Sequence, residues 1–361
     1  MKASVKNKRF VDKKNKLINM LPLDTPLSLL IESSDKCNFK CNFCPTSDLN
    51  LMKNTSGRNY GNIDFELYKK VIDDIKLFNN KIKTLHLHKS GEPLLNKKIA
   101  DMIKYAKDSN CIETISITTN GYLLNNELSL QIIDAGIDRI NISIEGINAK
   151  QYLEIANVNI NFDDFVNKIA FLFKNKKNCI ISIKIVDANL NENDKKEFFR
   201  IFGDICDYIS IENIIPWNEF DIDTSLISQN KSIYKGNLHH NILICPKIFY
   251  QIAVNSDGSV SACCDDWGHK VIVGNINEKS LVDIWNSEEL KELRLLFIRG
   301  NRNKHPFCKD CSSIVYDTIN ENVIDDYSET LFAMYNRTEQ NRTEQNRTEQ
   351  NRTEQNRTEQ F

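Results

Sequence analysis

Cys37, Cys41 and Cys44 stand at C-x3-C-x2-C spacing in the segment Cys37-Asn-Phe-Lys-Cys41-Asn-Phe-Cys44. Three thiolates this close can each bind one iron of a four-iron cubane, which leaves the fourth iron without a protein ligand and open to chemistry. An electron-carrying cluster is normally closed by four cysteines, and a structural zinc site also takes four ligands, so a local set of three is the informative count. A zinc site completed elsewhere in the chain is the plainer alternative. The apolar run Leu27 to Ile31 just before reads as a buried strand. The cysteines then lie at a strand's C-terminal end, where α/β barrels keep their active sites.

Further motifs close the next strand candidates: Gly91-Glu92-Pro93, Thr119-Asn120-Gly121 and Ser143-Ile-Glu145-Gly146. With the aromatic Phe43 before the third cysteine, this order resembles the signature of the radical S-adenosylmethionine (SAM) superfamily, and zinc does not explain the spaced downstream motifs. The resemblance implies that Cys37, Cys41 and Cys44 hold a 4Fe-4S cluster whose free iron binds SAM. Reductive cleavage of SAM then yields a 5′-deoxyadenosyl radical that takes hydrogen from an unactivated carbon. It further implies that Gly91, Glu92 and Pro93 meet the methionine end of SAM, that Phe43 packs near its adenine, and that Ser143 contacts its ribose or carboxylate. Many relatives carry an arginine near the position of Ala156; Lys184 is the candidate to replace it. His88 and Glu145 are candidate bases for a proton leaving the substrate, and Asp187, Glu212 and Trp217 also project toward the expected mouth. Each of these has a plainer reading as a hydrogen-bonded rim residue.

The elements that must position these groups alternate. Strand candidates at Leu27 to Ile31, Thr84 to His88, Thr114 to Thr118, Arg139 to Ile144, Ile180 to Val186 and Tyr208 to Ile214 are separated by helix candidates. The helices are Phe65 to Phe78, Lys97 to Lys107, Asn126 to Ala135, Phe162 to Lys174 and Asn193 to Phe202. Repeated βα units imply an α/β fold with a parallel sheet, and six units are too few for the usual eight-strand barrel. Composition alone does not separate a partial barrel from a doubly wound sheet. The resemblance implies a partial (β/α)6 barrel, open on one side.

After Pro216 the pattern changes. Cys245-Pro246 is followed by a hairpin pattern turning at Asp257-Gly258, by Gly274-Asn275-Ile276, and by Cys308-Lys-Asp-Cys311. This resembles the SPASM and twitch extensions of radical SAM enzymes. A full SPASM domain has seven cysteines and two auxiliary clusters, whereas the last cysteine here is Cys311. The resemblance therefore implies one auxiliary 4Fe-4S cluster on Cys245, Cys263, Cys308 and Cys311, with Cys264 the rival to Cys263 and a zinc knuckle the alternative. Cys111, Cys179, Cys206 and Cys264 read as structural.

The chain has 361 residues, 41% hydrophobic and 27% charged, with a formal net charge of -2. That near balance gives no electrostatic reason to expect a nucleic-acid partner, which would usually show a basic face. No apolar stretch approaches the roughly 18 residues of a membrane span, and the basic N-terminus lacks a signal peptide's apolar core. The cytoplasm is the expected location, and eleven cysteines without an export signal argue against a disulfide framework. From Asn336 to Gln360 the unit Asn-Arg-Thr-Glu-Gln occurs five times. It is wholly polar, so it reads as a disordered tail.

The expected division is an N-terminal extension (1–22), the barrel (23–216), the auxiliary-cluster domain (217–335) and the tail (336–361). The leading functional expectation is an oxidoreductase acting on a small polyol, sugar or aminocyclitol, with the auxiliary cluster accepting the second electron. Flavodoxin or ferredoxin would be the electron donor. The alternatives are a maturase of peptide or protein side chains and a nonenzymatic iron–sulfur or zinc protein.

Overall fold

A computed structural model of the chain describes residues 1–6, 15–55, 58, 60–187, 190–217, 220, 232–233 and 238–335. The repeat tail expected from 336 to 361 lies outside the described residues. The described strands form one sheet of ten, in the order β1-β7-β6-β5-β4-β3-β2-β8-β9-β10. These are β1 (Ser4–Val5), β2 (Ser28–Ile31), β3 (Ile82–His86), β4 (Ile112–Thr119), β5 (Arg139–Ile144), β6 (Ile180–Val186), β7 (Tyr208–Glu212), β8 (Gln251–Val254), β9 (Ser259–Ser261) and β10 (Ile272–Asn275).

Strands β2 to β7 run parallel in chain order, which makes the partial (β/α)6 barrel. The expected bounds of β5 and β6 coincide with the observed ones. β3 begins and ends earlier than expected, because only Ile82 to His86 pair in register with β4.

The helices are α1 (Leu49–Asn54), α2 (Phe65–Ile75), α3 (Ile99–Asp108), α4 (Asn126–Asp134), α5 (Ala149–Ala156), α6 (Phe162–Asn175), α7 (Glu192–Phe202), α8 (Lys247–Tyr250), α9 (Leu281–Trp285), α10 (Glu288–Ile298) and α11 (Ser313–Tyr316). Asp64, Asn125, Asn148, Asn161 and Asn191 cap α2, α4, α5, α6 and α7 by accepting backbone N–H bonds. Each such cap stabilises its helix by about 1 kcal/mol. In α2, Tyr68, Val71, Ile72 and Ile75 are buried at helical spacing, so one face seats on the sheet.

The strands alternate for the complementary reason. In β5, Ile140, Ile142 and Ile144 are buried, while Arg139 and Asn141 line a chamber on the inner side.

The C-terminal unit does not stand apart. Its strand β8 pairs in parallel with β2, from Ser28 against Gln251 to Ile31 against Val254. The hairpin β8–β9 turns where expected, with Gly258 at φ +90°, a conformation that favours glycine. Trp285, fully buried, donates its indole N–H to Leu23 O at 3.1 Å and so anchors α9 to the barrel's first segment. Among the described residues no helix is long and apolar enough to cross a membrane.

Candidate active site

The cysteine loop leaves the end of β2 and is tied down on three sides. Asp35 N donates to Gly61 O at 3.0 Å, Glu92 N to Lys36 O at 2.7 Å, and Lys40 N and Asn42 N to Ala156 O and Ile155 O at 2.9 Å each. Ala156 thus serves through its carbonyl at the end of α5, and its side chain is fully buried. Phe39 is buried edge-on against Tyr122 and Tyr152. Phe43 packs with Val186 and Ile214 at the ends of β6 and β7.

Around the sulfurs, Phe39 N donates to Cys37 Sγ at 3.4 Å, Asn120 Nδ2 approaches the same sulfur at 4.0 Å, and Thr46 Oγ1 lies 3.1 Å from Cys44 Sγ. Burial pushes the Cys37 thiol up to about 12 and raises Cys41 and Cys44 as well, so a positive centre is needed to hold all three as thiolates.

Glu92 is buried and already engaged. Its carboxylate accepts from Leu94 N at 2.9 Å, Thr119 Oγ1 at 2.6 Å and Asn120 N at 2.8 Å, while burial raises it to about 7. It clamps the Gly91–Pro93 turn, which Pro93 continues into a short 3-10 helix, onto the end of β4. Gly91 allows that turn to touch the cysteine loop, since a Cβ there would lie 2.3 Å from Ser34 O and 2.5 Å from Lys36 O.

The barrel's inner face carries many polar side chains among apolar ones such as Leu27, Leu30, Ile183 and Ile319. A chamber of about 410 Å³ is lined by His86 and His88 of the β3 segment, Thr118 of β4, Arg139 and Asn141 of β5, Ser182 and Lys184 of β6, and Tyr208, Ser210 and Glu212 of β7. That size suits a small molecule, and the lining departs from the branched apolar layers that fill a closed barrel. His88 Nδ1 accepts from Thr118 N at 3.0 Å, which leaves Nε2 as the proton-bearing nitrogen that faces other partners.

Lys184 pairs with Glu212 at 3.0 Å. Glu145 is buried just past the end of β5; burial raises it to about 7 against the pull of Lys184. Ser143 stands opposite Lys184 in the β5–β6 register. Asp187 pairs with Lys195 at 3.3 Å, and Trp217 bridges to Phe220.

Cys245, Cys263, Cys308 and Cys311 line a single second cavity, closed by Ile248, Phe297 and Phe307. Cys264 instead lines the barrel chamber, and Gln251 Nε2 donates to its Sγ at 3.1 Å. Cys263, Cys264 and the carboxylate of Asp265 do converge within 4.8 Å, a cluster that cysteine spacing alone did not single out. Lys247 lines both spaces. Its charge is held well above the ordinary range by Asp265 and Asp317, although burial opposes this.

The structure therefore gathers Cys37, Cys41, Cys44, Gly91, Glu92 and Asn120 at one end of the barrel. Lys184, Glu212 and His88 line its inner chamber, Glu145 is buried just past the end of β5 outside that lining, and Asp187 and Trp217 are engaged elsewhere. Arg139, Asn141, Ser182, Ser210, His86 and Lys247 were not singled out from the sequence. The period-2 alternation of Arg139-Ile-Asn-Ile-Ser-Ile and Ile181-Ser-Ile-Lys-Ile was the available signal, because a parallel strand buried on both faces reads as continuously apolar.

A three-cysteine loop at one end of the barrel and four cysteines lining a separate cavity suit two iron–sulfur clusters, the first with fewer protein ligands than irons. Residues 31–200 match the Radical SAM superfamily model, and residues 245–312 match the SPASM iron-sulfur cluster-binding domain model. The chain belongs to the radical SAM superfamily, with a C-terminal SPASM-type domain; its cofactors are SAM and 4Fe-4S clusters.

It is 24% identical over 324 residues to the tungsten-containing aldehyde ferredoxin oxidoreductase cofactor-modifying protein of Pyrococcus furiosus, covering 79% of this chain and 86% of that protein. It is 28% identical over 206 residues to GTP 3',8-cyclase of Aquifex aeolicus, covering 55% of this chain and 61% of the cyclase, so it spans less than two thirds of that relative's length. Streptococcus suis SuiB bound to S-adenosylmethionine matches with a TM-score of 0.58 at 16% identity, over 77% of this chain and 70% of SuiB. Native anSMEcpe with bound AdoMet matches at 0.53 and 19% identity, over 89% of this chain and 100% of that chain. These structural likenesses establish the fold.

Proposed function

We propose that this enzyme oxidises a small polyol, sugar or aminocyclitol held in the barrel chamber, with the auxiliary cluster accepting the second electron. The observation that carries the reading is the chamber itself: strands β3 to β7 contribute hydrogen-bonding side chains to it, and Lys247 and Cys264 of the auxiliary unit complete its wall. Such a lining matches a ligand with many hydroxyls better than an apolar peptide side chain. The names of the relatives, a cofactor-modifying protein and a GTP cyclase, also point to small molecules.

When bound, SAM and the open cluster supply a 5′-deoxyadenosyl radical. The chain's own residues do the rest. The Glu92 clamp and the Ala156 and Ile155 carbonyls fix the cysteine loop at the end of the barrel. His88 Nε2 donates to a substrate oxygen. The Lys184–Glu212 pair presents both signs of charge to neighbouring hydroxyl or ammonium groups. Glu145, buried just past the end of β5 and outside the chamber lining, is the proposed acceptor of the hydroxyl proton as the carbonyl forms. Flavodoxin or ferredoxin is the proposed electron donor.

The test is anaerobic incubation of reconstituted enzyme with SAM and a panel of inositols, aminocyclitols and sugars, followed by mass spectrometry. The expected product has lost two hydrogens. Replacing Cys308 and Cys311 together with alanine should spare some SAM cleavage and remove most oxidised product. Equal loss of both in a folded double variant would refute the electron-acceptor role.

A further inference from the structure

Lys247 belongs to two spaces at once. Its side chain lines the barrel chamber and also the cavity of the four auxiliary cysteines, and it is 5% exposed. Its Nζ donates to Asp317 Oδ2 at 2.6 Å, to Ser313 Oγ at 2.7 Å, and to Asp265 Oδ2. Ser313 Oγ in turn donates to Asp265 Oδ2 at 2.7 Å. The two carboxylates stand on opposite sides of the wall, Asp265 lining the cysteine cavity and Asp317 lining the chamber. The other charged side chain lining the cysteine cavity is Arg302, whose guanidinium donates to Cys308 O.

A cluster that takes up an electron gains one negative charge. A buried cation beside it favours that gain, and a buried carboxylate opposes it; both effects are strong because little water screens them. We propose that Lys247 and Asp317 together set the reduction potential of the auxiliary cluster, Lys247 raising it and Asp317 lowering it. They are positioning residues that fit this cluster to accept an electron from the chamber side. Because Asp317 faces the chamber while bonded to Lys247, the charge state of whatever occupies the chamber is communicated to the cluster through this pair. The inference rests on the electron-acceptor reading above, but its test needs no substrate, so the two can fail separately.

The experiment uses the full chain with Cys37, Cys41 and Cys44 replaced by alanine, so that the auxiliary cluster alone is read. After anaerobic reconstitution, its midpoint potential is measured by dithionite titration followed by electron paramagnetic resonance. In that background Lys247→Gln should shift the midpoint to a lower potential, Lys247→Arg should leave it near the starting value, and Asp317→Asn should shift it higher.

Opposed signs are the discriminating result, since loosened packing or entry of water would move both variants the same way. An unchanged midpoint in an iron-replete Lys247→Gln protein, or shifts of the same sign in Lys247→Gln and Asp317→Asn, would overturn the proposal. If Lys247→Gln loses its iron, the near-isosteric Asp317→Asn still decides: a higher midpoint supports the proposal and an unchanged or lower one refutes it.

Discussion

Replacing Gly91 with alanine should disable SAM cleavage while leaving most of the fold in place. The added Cβ would lie 2.3 Å from Ser34 O, 2.5 Å from Lys36 O and 2.8 Å from Asp35 C. All three are backbone atoms of the segment leading into Cys37, so no side chain can swing aside. Restoring ordinary contact requires the turn and the loop to separate by about 1 Å. That movement stretches the Glu92 N to Lys36 O bond, now 2.7 Å.

Overpacking of this kind costs about 1–3 kcal/mol, and the weakened hydrogen bond adds about 1 kcal/mol. The chemical consequence is larger, because misplacing reacting groups by about 1 Å can cost about a hundredfold in rate. The assay is 5′-deoxyadenosine formation by reconstituted protein, read beside iron content and thermal melting. Gly274→Ala is the comparison: its Cβ would meet the buried Ile284 side chain of α9 at 2.8 Å, a clash with a side chain of the C-terminal unit and not with the backbone of the cysteine loop. It should lower stability and spare cleavage. Wild-type cleavage by a folded, iron-replete Gly91→Ala protein would refute the argument that this contact sets the loop.

Other expectations follow from the same geometry. Replacing Cys37, Cys41 and Cys44 together with alanine should remove about half the iron and abolish SAM cleavage, as iron assay and chromatography would show, since seven cysteines divide into two four-iron sites. Cys264→Ser should retain full iron, because Cys264 lines the chamber, whereas Cys263→Ser should lose auxiliary iron. Glu145→Gln should flatten part of the stability profile measured by denaturant unfolding across pH. Its folded carboxyl, raised from 4.5 to about 7, binds a proton that the unfolded chain has released, so its contribution falls as pH rises through this window and is flat above it. The glutamine variant should therefore gain up to about 3 kcal/mol on wild type above that window; an unaltered profile would show that Glu145 is not buried as described.

Much of the architecture was legible because its signals are local. Asparagine and aspartate caps, helical spacing in α2 and the alternation in β5 and β6 each act within a few residues. The cysteine loops were legible for the same reason. What was not legible is long-range. The helix α5 was missed because eight residues with a modest apolar face give little periodic signal, yet its last carbonyls hold Lys40 and Asn42. The absence of arginine at Ala156 marked a departure from relatives, and nothing local showed that the backbone there binds the loop. Lys247 meets Asp317 across seventy positions, a pairing no spacing rule reaches.

The pairing of β8 with β2 gives these distant contacts a common cause. β2 ends at Ile31, and the next amide, Glu32 N, still donates to Val254 O at 2.9 Å. Glu32 is fully buried, 3.7 Å from an Arg58 guanidinium nitrogen and 3.9 Å from His269 Nε2, and it accepts from Ser90 N and Ser256 N. Burial alone would raise its carboxyl, but Lys89, Arg58 and His269 outweigh it and hold the carboxyl below its usual range. Arg58 also donates to Asp35 O in the cysteine loop and to Trp267 O in the auxiliary unit. Lys89 reaches Asn255 Oδ1 at 2.6 Å and Asp266 O at 2.7 Å. Removing one member of such a buried network leaves another charge unpaired, at a cost of about 3–5 kcal/mol. The strand that delivers the first cysteines and the hairpin that delivers Cys263 are thus joined by backbone ladder and by buried charge. In the proposed reaction an electron would cross from the chamber to the auxiliary cluster, and this joint would hold the two parts at a fixed separation.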